Sequence, residues 1–189
     1  TTDDDVAGFS LSKTSQTVTE NGTAETFTVV LDKGPTSNVV INISTSNTQV
    51  TVSTTNITFT DSNWNTPQTV MVTAVDDNIV DGLQSTVVTV NVVDGSSNDK
   101  FDSLADQTVS VSVADDDEAS FVLSPNTLTV TEATGSDHSK TFNVSLPRGP
   151  LSDVVFTVAT TNNQVTINKP TLTFTAANWN TPQEVTVTG

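Results

Sequence analysis

Acidic residues at three places in the chain have the type and spacing of cation ligands. The first motif is Val-Thr-Glu, the second is an Asp-Asp pair followed four residues later by another aspartate, and the third is a run of three aspartates. In chain order, these residues are Glu20, Asp76, Asp77, Asp81, Asp115, Asp116 and Asp117. Carboxylate oxygens are the ligands that hard divalent cations prefer, so the chemistry depends on whether the fold brings the motifs together.

The elements that must position these motifs are β-strands. Threonine, serine, valine and asparagine dominate the sequence, and no window shows apolar residues at helical spacing. Apolar and polar residues alternate in seven segments, roughly 8–19, 25–31, 38–45, 55–60, 68–75, 85–93 and 107–114, and residues 47–53 could add a short edge strand. Seven short strands separated by turn residues predict an all-β protein built as an immunoglobulin-like β-sandwich.

The sequence also repeats itself. Thr-Val-Thr-Glu at 17–20 recurs at 129–132, an offset of 112 residues, and Asn-Trp-Asn-Thr-Pro-Gln at 63–68 recurs at 178–183, an offset of 115 after an insertion of three residues. Matches this long at a nearly constant offset indicate a tandem array of one structural unit.

The phase of the repeat predicts the domain boundaries. Residues 1–5 correspond to the end of a preceding repeat, residues 6–117 form a complete repeat, and residues 118–189 form a second repeat that is incomplete at its C-terminal end. Gly189 aligns with Ala74, so the second repeat lacks counterparts of the last two strands, and we expect an open sheet edge there.

Strand direction predicts that the three acidic motifs meet. If each strand crosses the sandwich once, the ends of the first, fifth and seventh strands lie at the same pole. Seven carboxylates within roughly 10–15 Å repel one another by several kcal/mol, and a bound divalent cation relieves that repulsion. Ca²⁺ accepts six to eight oxygen ligands in flexible geometry, whereas Mg²⁺ requires a strict octahedron. Zinc is disfavoured because the chain has no cysteine and one histidine. The competing interpretation is that these are solvated turn residues.

The same motifs, in the same order, resemble the Calx-beta domain, an immunoglobulin-like module of sodium–calcium exchangers and long bacterial surface proteins. Glu20 matches the acidic residue after the first strand, Asp76-Asp77 with Asp81 matches the loop after the fifth, and residues 115–117 match the closing run. The resemblance covers residues 6–117 fully and 118–189 in part. It implies that all seven acidic residues are candidate Ca²⁺ ligands. Because only two or three residues separate Asp117 from the next predicted strand, we also expect an ion beside the closing run to stiffen the joint to the next repeat.

We therefore expect a non-catalytic, extracellular stalk of tandem repeats in a surface adhesin or motility protein, rigidified by calcium. Its partners would be neighbouring repeats of the same chain, with a glycan or protein ligand bound elsewhere in the full protein. Two alternatives stay open: a carbohydrate-binding module, for instance at the Trp64 corner, and an accessory region of a secreted enzyme.

Several classes of function are disfavoured. The formal charge is −16, from 22 acidic and 6 basic residues, so there is no basic face to bind nucleic acid. No apolar run is long enough for membrane insertion, and no nucleophile, phosphate-loop or zinc motif occurs. His138 lies in a polar insertion, and Asp94, Asp99, Asp102 and Asp106 near the opposite pole are expected to be solvated rather than to form a minor cation site.

Overall fold

A computed structural model describes residues 5–189, which divide into two compact units. The first comprises the described residues up to Asp77 together with Gly82–Asp116, and the second comprises Asn78–Asp81 together with Asp117–Gly189. Residues 1–4 of the segment assigned to a preceding repeat, including Asp3 and Asp4, lie outside the described residues. Regular structure within the described part consists of β-strands and one three-residue 3-10 turn at Asp94–Ser96. It includes no helix long and apolar enough to cross a membrane.

The first unit is a sandwich of two sheets. Its strands are β1 (Phe9–Leu11), β2 (Ser15–Thr19), β3 (Glu25–Leu31), β4 (Val39–Thr45), β5 (Val50–Val52), β6 (Asn56–Phe59), β7 (Gln68–Ala74), β9 (Gln84–Val92) and β10 (Gln107–Ala114). One sheet has the order β1-β3-β7-β5, and the other has the order β2-β10-β9-β4-β6. The fold class is the predicted one, an all-β immunoglobulin-like sandwich.

Alternation of residue type explains why these segments pair face to face. In β10, Val109, Val111 and Val113 are buried, while the polar residues that alternate with them, Thr108, Ser110 and Ser112, are exposed or half-buried. The inward residues of both sheets form one core, whose largest members include Phe27, Phe59 and Leu31. A two-residue period of this kind places one side of every strand in the core and leaves the other to solvent.

The first predicted strand differs from the observed one. Residues 8–19 were expected to form one strand, but the chain leaves the first sheet after Leu11 and enters the second at Ser15. β1 pairs antiparallel with β3, and β2 pairs in parallel with β10. An edge strand that switches sheets is a known way to close the corner of a sandwich. The short edge strand within 47–53 is present as β5, paired with β7.

The second unit has a smaller core. Its strands are β8 (Ile79–Val80), β11 (Val122–Ser124), β12 (Ser139–Ser145), β13 (Gly149–Pro150), β14 (Val154–Thr157), β15 (Thr166–Ile167), β16 (Thr171–Phe174) and β17 (Gln183–Thr188). They form sheets in the orders β11-β12-β17-β15, β14-β16 and β13-β8. The buried core residues are Val144, Leu146, Leu172, Phe174 and Val185.

Several apolar side chains of the second unit are more exposed than their counterparts in the first. Phe121 is 54% exposed, whereas the aligned Phe9 is 4% exposed. β14 pairs with β16 alone among the described strands, while the aligned β4 pairs with both β6 and β9. The second unit therefore has a free sheet edge at β14, where β9 lies in the first unit.

Candidate metal-binding site

The parallel pairing of β2 and β10 places two acidic residues side by side. Thr19 lies opposite Ala114 at the end of this ladder, and the Glu20 N–H continues it by donating to the Ala114 carbonyl at 2.9 Å. The next residues along the two strands are therefore Glu20 and Asp115. Directly opposite like charges destabilise a sheet unless something between them compensates.

Three carboxylates come together where this pairing ends. Glu20, Asp115 and Asp116 each place a carboxylate oxygen within 4.8 Å of the others. Within residues 5–189, no other group of three or more potential metal-ligating side chains has its ligand atoms this close together. Glu20 is 2% exposed, Asp115 is half-buried, and Asp116 is exposed. The group thus has a buried floor and an open side through which an ion and its waters could enter.

Two tight turns hold this arrangement. Asn21 has a positive φ of 51°, and the Gly22 N–H donates to the Thr19 carbonyl at 2.9 Å, so the chain reverses directly after Glu20. The Gly82 N–H donates to Oδ2 of Asp115 at 2.7 Å, and Gly82 itself has a φ of +70°, a conformation that favours glycine. A backbone donor thereby orients the Asp115 carboxylate.

The three carboxylates of the group carry charge of the same sign at short range. At 4.8 Å and an effective dielectric near 20, two carboxylates repel by about 3.5 kcal/mol. Burying the Glu20 carboxylate adds a desolvation cost unless it is paired or coordinated. The donors are all carboxylate oxygens and one of them is exposed, which fits a hard cation with a partly hydrated shell.

The other four predicted ligands are not members of this group of three. Asp117 is an ion-pair partner, with its Oδ1 2.5 Å from Nε of Arg148 and its side chain only 2% exposed. Asp76 is exposed, and Asp77 and Asp81 are half-buried. Their roles as metal ligands stay predictions.

Two partners of the acidic residues were not predicted from the sequence. Arg148 pairs with Asp117, and the Gly82 N–H donates to Asp115. Arg148 is the only arginine of the chain, and it aligns with Lys33 at the offset of 115. Both basic residues precede a Gly-Pro pair, and both form ion pairs, since Nζ of Lys33 lies 2.7 Å from Oδ1 of Asp5. A repeated basic residue in an acidic chain is a signal that could have identified this interaction. Nothing in the local sequence marks the Gly82 amide as a donor.

The aspartates near the opposite pole do not form a comparable group. Asp102 and its neighbours fall outside the three-carboxylate cluster found within the described residues. Desolvation by burial, and then the nearby charges of Asp94 and Asp99, raise the pKa of Asp102 above its usual value. This loop therefore carries electrostatic repulsion of its own.

The histidine and the tryptophans have structural contacts. His138 Nδ1 lies 3.1 Å from the Thr131 carbonyl oxygen. Trp64 packs at the edge of the first core and Trp179 at the edge of the second. These positions agree with core capping, and neither tryptophan is fully exposed.

Comparisons with known proteins give fold likeness alone. No protein-family model matches the chain, and no curated protein matches it. Among solved structures, the chain is similar to the calcium binding domain CBD12 of CALX1.1, with 17% identity, 94% of this chain and 72% of that chain covered, and a TM-score of 0.44. It is also similar to the D0-D1 domain of intimin, with 16% identity, coverage of 97% and 86%, and a TM-score of 0.38. For the E. coli chaperone DraB the identity is 9%, the coverage is 96% and 87%, and the TM-score is 0.44. At these values function has to be inferred from the side chains of the site.

Proposed function

We propose that this chain is a non-catalytic, calcium-binding structural segment. The observation that carries the proposal is the buried carboxylate of Glu20 beside those of Asp115 and Asp116. A solvated acidic surface requires no buried carboxylate, whereas a Ca²⁺ ion at this point would neutralise the repulsion and accept the three side chains as ligands. The remaining residues of the acidic motifs, Asp76, Asp77, Asp81 and Asp117, stay proposed ligands on their sequence pattern, and Asp117 is also held by Arg148.

The division of the aspartate run suggests what the ion does mechanically. Asp115 and Asp116 belong to the group around Glu20, and the next residue, Asp117, is held by Arg148 within the second unit. An ion bound by the first two would restrict the backbone at the point where the second unit begins. We propose that the protein is a tandem array in which calcium stiffens each joint, as in the extracellular stalk of a bacterial surface adhesin or motility protein. Millimolar Ca²⁺ outside the cell suits exposed sites of modest affinity.

A thermal melt of the full chain in millimolar CaCl₂, in MgCl₂ and in excess chelator tests the calcium site. We expect a higher melting temperature in calcium than in the other two conditions, because a ligand that binds only the folded state stabilises it by mass action. In Asp116→Ala the calcium effect should be lost, and in Asp76→Ala it should weaken if that residue belongs to the ligand set. Identical melts in all three conditions would reject the proposal and leave a solvated acidic surface.

A further inference from the structure

The turn at residues 33–35 of the first unit has a counterpart in the second unit that is covered by a strand. Lys33-Gly34-Pro35 aligns with Arg148-Gly149-Pro150. In both turns the basic residue pairs with an aspartate, Asp5 in one and Asp117 in the other. In both, a tryptophan Nε1 lies 3.2 Å from the place that a glycine Cβ would occupy. The two turns are therefore built alike.

The counterpart in the second unit binds an extended segment. β13 pairs in parallel with β8, with Gly149 opposite Ile79 and Pro150 opposite Val80. The Gly149 N–H donates to the Asn78 carbonyl at 2.7 Å, and Nη1 of Arg148 lies 2.5 Å from Oδ1 of Asn78. Gly149 is buried as a result.

The turn in the first unit has the same backbone N–H donor, but no described segment pairs with it. Gly34 is exposed, and its N–H has no hydrogen-bond acceptor within residues 5–189. A cavity of about 210 Å³ beside it is lined by Lys33, Gly34 and Pro35, together with Ala7. The corresponding cavity of the second unit, about 400 Å³, is lined by the aligned residues and also by Val80 of the bound segment.

We propose that residues 33–35 are a docking edge for an extended segment of the Asn-Ile-Val-Asp type, presented by another β-sandwich unit of this kind. The segment would add to the edge as β8 adds to β13. Its carbonyl accepts the Gly34 N–H, its asparagine side chain accepts from Lys33, and its valine lines the cavity as Val80 does in the second unit. The proposal rests on the proposed function only in treating the chain as a tandem repeat.

Amide hydrogen exchange on a fused chain tests this docking. A second copy of residues 6–117 is placed directly before Val6, so that its own closing aspartates replace residues 1–5 and residues 6–189 are retained. Covalent linkage supplies the effective concentration that a two-residue strand pairing needs. In the original chain, we expect Gly34 to exchange faster than Gly149. In the fusion, Gly34 should slow by about tenfold or more, the effect of one added hydrogen bond that is protected from water.

A matched fusion identifies the docked segment. It carries Val80→Asp in the added copy only, which puts a charge into the cavity while the original copy stays unchanged. Gly34 should then exchange at the rate of the original chain, with Gly149 unaffected as the internal reference. Slowing of Gly34 that persists in this variant, or no slowing in the first fusion when both fusions show folded circular dichroism, would overturn the proposal.

Running the exchange in calcium and in chelator separates this inference from the calcium site. Protection of Gly34 in both conditions, with no calcium effect on the melt, would support docking and reject the cation site. A calcium-dependent melt with unprotected Gly34 would do the reverse.

Discussion

Replacing Glu20 by glutamine should change the stability of this protein in opposite directions with and without calcium. Glutamine keeps the size of the side chain and removes its negative charge. Without a divalent cation, the substitution removes the repulsion between two carboxylates on neighbouring strands, so the variant should be more stable than the parent. With calcium, it removes a charged ligand, so most of the stabilisation by the ion should disappear.

The structure gives the scale of both effects. Glu20 and Asp115 have carboxylate oxygens within 4.8 Å, which corresponds to about 3.5 kcal/mol of repulsion at an effective dielectric of 20. Part of this gain is offset by the cost of burying a glutamine amide, and we expect a net gain of about 1–2 kcal/mol. For a unit of this size that is a rise of at least about 5 °C in melting temperature. Calcium at a hundred times its dissociation constant stabilises the parent by about 2.7 kcal/mol, and this is the term that the variant should lose.

Glu132 provides the matched control. It aligns with Glu20 in the repeated Thr-Val-Thr-Glu motif, but it is exposed and lies outside the strands of the second unit. Glu132→Gln should therefore leave the melting temperature nearly unchanged in chelator and preserve the calcium effect. Differential scanning calorimetry of the parent and both variants, in chelator and in a calcium titration, measures how each substitution changes the melting temperature in each condition.

Two results would refute the reasoning. If Glu20→Gln lowers the melting temperature in chelator, the carboxylate is stabilised by its surroundings without a cation. If calcium raises the melting temperature of Glu20→Gln as much as that of the parent, the ion binds elsewhere.

Three further substitutions have expected outcomes that a melt can check. Asp102→Asn should raise the melting temperature at pH 7: because the pKa of Asp102 is raised in the folded state, its charged form destabilises the fold at neutral pH, and this penalty is lost as the pH falls through that pKa. The advantage of the variant should vanish near about pH 3, where the parent carboxyl is neutral in both states; an advantage that persists there would point to packing instead. Arg148→Ala should destabilise the second unit by about 2 kcal/mol because it leaves the nearly buried Asp117 without its ion pair. Lys33→Ala should cost less than about 1 kcal/mol because its partner carboxylate is 61% exposed. Equal losses of stability would contradict the argument that burial of the partner carboxylate sets the size of the effect.

The strands were predictable because each carries its own signal. Val109, Val111 and Val113 alternate with polar residues, and that local pattern fixes which side of β10 is buried. The order of up and down strands then follows from short connections, and it brings Glu20 and Asp115 to one pole. That step used no information beyond the sequence, and the structure places these two residues together.

Register and pairing partners were less accessible. No sequence pattern in residues 12–14 indicates that the chain changes sheets there, because the change depends on which strand edge is available for pairing. Here that edge belongs to β10. The parallel register that puts Glu20 beside Asp115 follows from this change. Similarly, residues 78–81 form part of the loop between β7 and β9 in sequence, yet they pack within the second unit through a two-residue pairing with β13. A pairing this short has no periodic pattern that a sequence could display.

The run Asp115, Asp116 and Asp117 shows why the acidic motifs could be located but not assigned individual roles. In sequence the three residues are identical, and each is a plausible cation ligand. In the structure the first accepts a backbone hydrogen bond from Gly82, the second is exposed beside Glu20, and the third is nearly buried against Arg148. The partners that set these environments, Gly82, Glu20 and Arg148, each lie about thirty positions or more away along the chain. The three residues follow the end of β10 and lie outside its regular alternation, so the neighbours of each carboxylate are set by the tertiary fold. The run therefore offers two carboxylates to the proposed cation and a third to Arg148, and a single aspartate at this position could have only one of these roles.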